Sequence, residues 1–274
     1  MNIWQENAEL RFGVIDRSDR LTLSSAFDFF QEVAISHAEA LGVGRDSMAK
    51  TGQVWILSRI SVQFDRRPRY GEKVVLRTWP RGSEKLFALR DYDIRDEKDI
   101  PIVRGRSGWL IIDIEKRRPL RPQAIMAVMP LNEGLDALID GGAGLPARVG
   151  LSKAAERTAR YSDIDYNGHV NNTRYIQWIQ DLMECETLER ASRIRLDINF
   201  VNEIRPGEVT GLFTGPIEDS PEAPAPEEWL KALQQAEGKA ENPVEQALAI
   251  EGRKAGTSSE AAQVNFRAEL RLRE

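Results

Sequence analysis

The sequence predicts an α+β chain that carries one unit twice, each copy a long central helix wrapped by an antiparallel sheet. Three observations predict this. Two strand–turn–strand segments repeat at a constant offset of 136, a helical pattern precedes each, and alternating apolar residues follow each. In the repeat, Ile60-Ser61-Val62-Gln63-Phe64 lies over Leu196-Asp197-Ile198-Asn199-Phe200, Gly71-Glu72 over Gly207-Glu208, and Thr78 over Thr214.

Taken in order, the first helix runs from about Ser24 to Leu41, with Ser24 or Ser25 as N-cap and Gly42 as the C′ stop. The strand ending at Phe64 follows, then the Pro68-to-Gly71 turn and a second strand. Leu86 to Arg95 and Ile102 to Ile114 read as further strands, and Trp109-Leu110-Ile111-Ile112 is apolar enough to be central. The link Gln123 to Ala147, with Gly141-Gly142-Ala143-Gly144 near its end, joins the copies. The second helix spans about Asn172 to Arg190, with Tyr175, Trp178, Ile179 and Leu182 on its apolar face. After the second strand pair, prolines 221, 224 and 226 mark an insertion over 216–242, within which Glu227 to Gly238 suits a short surface helix. Glu245 to Lys254 and the alternation Val264, Phe266, Ala268, Leu270, Leu272 close the second sheet. A strongly twisted sheet is concave, and a helix can fill the concavity. That is a tandem hotdog, with units at 1–125 and 148–274.

Bulk properties narrow the function classes. The net charge of −5 supplies no global basic field for nucleic acid. Cys185 is the single cysteine, so no internal disulfide can form, and with two histidines a zinc site is not expected; no metal or cofactor is indicated. The N-terminal stretch lacks the basic and apolar segments of a leader, and no apolar run reaches membrane-spanning length. The expected compartment is the cytoplasm, with no membrane partner.

The densest chemistry lies in Asp163-Ile164-Asp165-Tyr166-Asn167-Gly168-His169-Val170-Asn171-Asn172, immediately before the second helix. A helix start offers unpaired N–H groups and a partial positive charge, which can hold an oxyanion. One of Asn171 and Asn172 suits the N-cap. Asp163 reads as a turn-former and His37 as structural. Aligning the two helices at an offset of about 148 sets Asp165 opposite Arg17, Asn167 opposite Asp19 and His169 opposite Leu21; at 136, Glu203 falls opposite Arg67. On that alignment only the second copy carries the constellation.

The chain resembles the acyl-acyl-carrier-protein thioesterases, a tandem-hotdog family of plants and bacteria. Residues 165–179 are similar to that family's Asp-x-Asn-x-His-Val-Asn-Asn signature and the Tyr-Ile-x-Trp-Ile that follows it. The first half resembles it in Phe30-Gln31-Glu32-Val33-Ala34, Trp55-Ile56-Leu57-Ser58-Arg59 and Asp65-Arg66-Arg67-Pro68. The resemblance implies hydrolysis of the thioester between a fatty acyl chain and acyl carrier protein, releasing free fatty acid and ending chain elongation. It carries the catalytic set over to Asp165, Asn167, His169 and Glu203. Plant members often have Cys directly after the glutamate; here Ile204 stands there, and Cys185, placed mid-helix, reads as a buried small apolar residue.

In this reading Glu203 is the general base, a role burial would favour near neutral pH. Asp165 orients the attacking water with Asn167, or attacks the carbonyl to give an anhydride. His169 hydrogen-bonds Asp165 or protonates the leaving thiolate, and N–H groups at the second helix polarise the carbonyl. Phe27, Phe30, Val33 and Ala34 of the first helix are candidates to line the acyl pocket; core packing explains them equally well. Of two basic clusters, Arg66-Arg67-Arg69 and Lys116-Arg117-Arg118-Arg121, one would dock the acidic carrier. A fused pair already mimics a hotdog dimer, so monomer and homodimer both fit. Two alternatives compete: an acyl-CoA thioesterase, since single-hotdog enzymes share a similar motif, and a non-catalytic acyl- or carrier-binding module.

Overall fold

Each copy begins one strand earlier than its helix. The computed structural model describes residues 2–132, 134–217, 245–255 and 263–274. The chain forms two units, residues 1–143 and 144–274. The first contains β1 (Trp4–Glu9), a 3-10 turn at Phe12–Val14, α1 (Leu23–Ala40), α2 (Arg45–Lys50), β2 (Gln53–Phe64), β3 (Lys73–Glu84), β4 (Phe87–Arg95), β5 (Pro101–Asp113), β6 (Arg118–Leu120) and α3 (Gln123–Met126). Its antiparallel sheet runs β1-β3-β4-β5-β2, with β6 hung from β5. The second contains β7 (Ser152–Thr158), a 3-10 turn at Tyr161–Asp163, α4 (Asn172–Gln180), α5 (Cys185–Arg190), β8 (Arg193–Phe200), β9 (Val209–Pro216), β10 (Glu245–Lys254) and β11 (Val264–Arg273). Its sheet runs β7-β9-β10-β11-β8, the same topology.

In the first unit α1 buries Phe27, Phe30, Val33 and Ala34. Phe30 stacks on Tyr92 of β4 with ring centroids 4.7 Å apart. It also lies over Gly105 of β5, where a Cβ would come within 2.7 Å of the ring, so glycine is needed there. Burying a phenylalanine contributes roughly 1.5–3 kcal/mol, so this face anchors the helix to the sheet. In the second unit Tyr175 of α4 meets Phe200 of β8 and Phe266 of β11 edge-on, at 5.4 and 5.3 Å.

Several expectations change. The N-cap of α1 is Thr22, which accepts from Ser25 N–H at 3.1 Å, rather than Ser24 or Ser25. Gly42 does stop the helix, at φ +72°. The predicted second helix is two: α4 ends at Gln180 and α5 starts at Cys185. The intervening turn puts Met183 into the core and leaves Leu182 half-buried. Cys185 is therefore an exposed first residue of α5, not a buried mid-helix one. β5 is central by pairing, yet Trp109 and Leu110 are only half-buried.

The first unit also extends past 125, because its link folds back on the sheet. Trp79 Nε1 donates to the Leu135 carbonyl, Arg106 Nη1 to that of Ile139, and Gly142 N–H to Ser61 Oγ, at 2.9, 3.1 and 2.8 Å. Asp136, within the link, accepts from Arg81 and Arg106, and these bonds hold its carboxyl down to about 2. The proposed insertion and its surface helix fall, apart from Pro216 and Ile217, outside the described residues. No helix among the described residues is long and apolar enough to cross a membrane.

Candidate active site

The polar run before α4 is a closed loop. Ile164 bridges Val170, Asp165 N–H donates to the His169 carbonyl at 2.9 Å, and Gly168 N–H donates to the Asp165 carbonyl at 3.0 Å. The tight return needs Gly168 at φ +80°. Asn171 then caps α4, its Oδ1 accepting from Thr173 N–H at 3.0 Å. A further bond, Val170 N–H to the Ile204 carbonyl at 2.9 Å, ties the loop to the turn between β8 and β9. That tie sets His169 against Glu203, 34 positions away in sequence.

The carboxylate of Asp165 is shaped by Asn167. Oδ1 accepts from Asn167 N–H at 2.8 Å and Oδ2 from its side-chain amide at 3.3 Å. His169 Nε2 lies 2.9 Å from Glu203 Oε2, so Nε2 carries the proton toward the carboxylate. All four predicted catalytic residues are thus on one loop and the turn it is tied to. Two details differ from expectation. The ring of His169 pairs with Glu203, while its link to Asp165 runs through the backbone. Glu203 is exposed, 47% at the side chain, so burial does not shape it; Arg205 does, donating to Oε1 from Nη2 at 2.6 Å and Nε at 3.1 Å.

The helix end is partly used already. Asn171 takes the N–H groups of Thr173, by its side chain, and Arg174, by its carbonyl. This leaves Asn172 N–H as the donor the helix start can still offer. Beneath the loop Tyr175 is buried, and burial pushes its phenol well above the ordinary value. It stays neutral near the acids above it.

The first unit repeats this architecture bond for bond. Asp16 N–H donates to the Arg20 carbonyl, Ile15 bridges Leu21, Leu21 N–H donates to the Pro68 carbonyl, and Thr22 caps α1. Asp19 takes the left-handed conformation that Gly168 takes in the second unit, at φ +60°. The loop offset is therefore 149, one more than the sequence alignment assumed. Asp165 corresponds to Asp16, Asn167 to Ser18 and His169 to Arg20. The correspondence of Glu203 with Arg67 stands. Asp16 keeps the same local bond, its Oδ1 accepting from Ser18 N–H at 2.8 Å. The aspartate is thus shared, contrary to the sequence alignment; the histidine and glutamate are what distinguish the second unit. Arg67 is buried and pairs with Asp16 while donating from Nε to the Leu21 carbonyl at 3.1 Å. Burial works to raise the Asp16 carboxyl, but its bonds from Ser18 and Arg67 outweigh this and hold it below the usual range.

The other candidates separate. Phe27, Phe30, Val33 and Ala34 are core residues, at most 5% exposed. In the first basic cluster Arg66 is spent on Glu72, at 2.9 Å, and Arg67 on Asp16. In the second, Lys116, Arg117, Arg118 and Arg121 are all exposed around the β5–β6 hairpin. Arg205 went unnoticed in the sequence, although Arg69 precedes it at the repeat offset of 136. No group of three or more His, Cys, Asp or Glu suited to a metal ion occurs among the described residues.

Comparison with known proteins identifies the family of both units. The family model of the acyl-ACP thioesterase N-terminal domain matches residues 1–127, and that of the acyl-ACP thioesterase C-terminal domain matches residues 147–268. The chloroplastic acyl-[acyl-carrier-protein] hydrolase FATB2 of Cuphea viscosissima is 26% identical over 220 residues, covering 73% of this chain and 52% of that protein. The chain spans about half the length of curated relatives it matches. An acyl-ACP thioesterase from Bacteroides thetaiotaomicron has the same fold, with TM-score 0.76, 24% identity, and coverage of 99% of this chain and 98% of that one. The 12:0-ACP thioesterase from Umbellularia californica does too, at TM-score 0.75, 17% identity, and coverage of 99% and 98%.

Proposed function

Because this chain belongs to the acyl-ACP thioesterase family, we propose that it hydrolyses fatty acyl-[acyl-carrier-protein] thioesters and releases free fatty acid. The observation that carries this reading is the His169–Glu203 pair, tied by the Val170–Ile204 bond to the loop that holds Asp165 and Asn167. Water held by Asp165 and the Asn167 amide attacks the thioester carbonyl. The His169–Glu203 pair takes its proton, and His169 returns a proton to the departing thiolate. A positioned acid–base group of this kind contributes typically about 10²–10⁴-fold. The Asn172 N–H at the start of α4 faces the charge that develops on the carbonyl oxygen. An exposed Cys185 at the start of a different helix takes no part.

The carrier is acidic, and the β5–β6 hairpin is the basic cluster left for it. Arg117, Arg118, Arg121 and Lys116 are exposed, Lys116 also pairing with Asp113 at 3.5 Å, whereas in the first cluster Arg66 and Arg67 are engaged within the unit and Arg69 alone of the three is exposed. Thiol release from acyl-carrier and acyl-CoA thioesters of varied chain length tests the reading. Faster release from the carrier thioester is expected, with a higher KM when the four hairpin cations are replaced by glutamate. Absence of thiol release from both substrates overturns the hydrolase reading; equal rates on CoA thioesters overturn the carrier dependence.

A further inference from the structure

An exposed glutamate usually samples several rotamers, yet Glu203 is held at both oxygens. Oε2 faces His169 Nε2 at 2.9 Å, and Oε1 accepts twice from Arg205, at 2.6 and 3.1 Å. We propose that Arg205 is a positioning residue for the hydrolysis: by holding Oε1 it presents Oε2 to His169. The proposal rests on the thioester-hydrolase reading above.

The first unit separates what the backbone of this residue does from what its side chain does. Arg205 N–H donates to Glu208 Oε2 at 2.9 Å, and Glu208 N–H donates back to the Arg205 carbonyl at 3.0 Å. Arg69 and Glu72 make the same two bonds, at 2.8 and 3.1 Å. The turn is therefore built by the backbone and the glutamate at its end. In the second unit Glu208 is itself fixed by Lys254 Nζ at 2.5 Å. The side-chain contact to a carboxylate two residues earlier belongs to the second unit alone, because Arg67 stands where Glu203 would be. The turn closes without it, so the contact is not a requirement of the fold.

Stability does not account for it either. Exposed ion pairs contribute little, and both partners here are exposed, at 66% and 47%. What the contact fixes is geometry. Two donors from one guanidinium converge on Oε1 while His169 faces Oε2, so the carboxylate is held at both ends. Glu203 in turn raises the Arg205 guanidinium above its ordinary value. In the proposed step Oε2 accepts the Nε2 hydrogen bond of His169, which leaves Nδ1 of the same ring to take the proton of the attacking water.

The test uses the full chain with Arg205→Gln and Arg205→Lys, assayed on acyl-carrier thioester. Arg205→Gln is expected to lower kcat roughly tenfold, as small displacements of a catalytic group do, with KM within about twofold. Tm is unchanged. Arg205→Lys keeps the charge but not the paired guanidinium donors, so it recovers only part of the rate. Wild-type kcat in Arg205→Gln overturns the proposal. A second readout needs no turnover: the Nε2 proton of His169 is followed by NMR, with Glu203→Gln identifying its resonance. Its broadening in Arg205→Gln supports the proposal even if the wild-type protein releases no thiol, an outcome that would fault the hydrolase reading instead. Persistence of an unchanged resonance overturns the proposal.

Discussion

The loop before α1 and the loop before α4 have the same backbone and different chemistry. Asp16 and Asp165 sit at the same point, each bonded by the residue two further on. In the first unit the neighbouring turn supplies Arg67, and the aspartate ends in an ion pair closed off from solvent on the arginine side. In the second it supplies Glu203, which leaves Asp165 to Asn167 and pairs with His169. One aspartate therefore serves architecture, and in the proposed mechanism the other serves the reaction. Which of the two it serves is decided by the charge of a residue on a different element.

Substituting the two aspartates alike is the sharpest way to break this comparison. Asp165→Asn should lower kcat by at least about 10²-fold with a modest change in Tm, measured by thiol release and thermal melting. Asp16→Asn should leave kcat within a few-fold and strand the buried Arg67. Removing one partner of a buried pair costs about 3 kcal/mol, read as a fall of several degrees in the Tm of the first unit. Equal kinetic losses in both variants would sink the division of roles.

The link offers a second comparison. In the first unit it is pinned by Asp136 to Arg81 and Arg106; in the second, Arg148 donates to Glu269 at 2.8 Å. The Asp136 carboxyl is held at about 2, below its ordinary value of 3.8. Its contribution is complete above about pH 4 and is lost as pH falls toward about 2. Melting curves between those values should be shallower in pH dependence for Asp136→Asn than for the parent. A parallel decline would show that Asp136 does not carry this acid sensitivity.

Smaller effects sharpen the picture. Thr22→Ala and Asn171→Ala remove equivalent N-caps, and each should cost about 1 kcal/mol in chemical denaturation. Only Asn171→Ala should also depress kcat, since that cap leads into the loop with His169. Cys185→Ser should change neither rate nor stability. The thiol, being exposed, should react with Ellman's reagent in the folded protein; protection from it would contradict its placement.

The sequence was most legible where residue identity and backbone demand coincide. Phe64 and Phe200 end the matched strands, and Gly71 and Gly207 both take positive φ, +76° and +81°. The loop alignment slipped by one because only Arg11, Ile15 and Asp16 keep their identity there, against Arg160, Ile164 and Asp165, while Arg20, Asp19 and Thr22 replace His169, Gly168 and Asn171. The backbone bonds that equate them are invisible in side chains. The break after Gln180 carries no glycine or proline; it follows from burying Met183, a tertiary effect. Arg67 reads as a surface cation and is buried because Asp16, 51 positions away, meets it. The four proposed catalytic residues were named through the family motif, whereas the pairing of His169 with Glu203 rather than Asp165 depended on the turn between β8 and β9.

The two strands that open the units, β1 and β7, were not expected, and their composition explains why. Trp4-Gln5-Glu6-Asn7-Ala8-Glu9 and Ser152-Lys153-Ala154-Ala155-Glu156-Arg157-Thr158 are mostly polar and each pairs on one side only among the described residues. A strand with an unpaired side is a template on which another chain can add, and amyloid-like growth begins from such templates. Charged, amide-rich edges resist that growth. The feature that hid these strands from a reading of hydrophobic pattern is therefore also what guards a large sheet against self-association, and apolar replacements at Asn7 or Glu156 would be expected to cost solubility well before they cost stability.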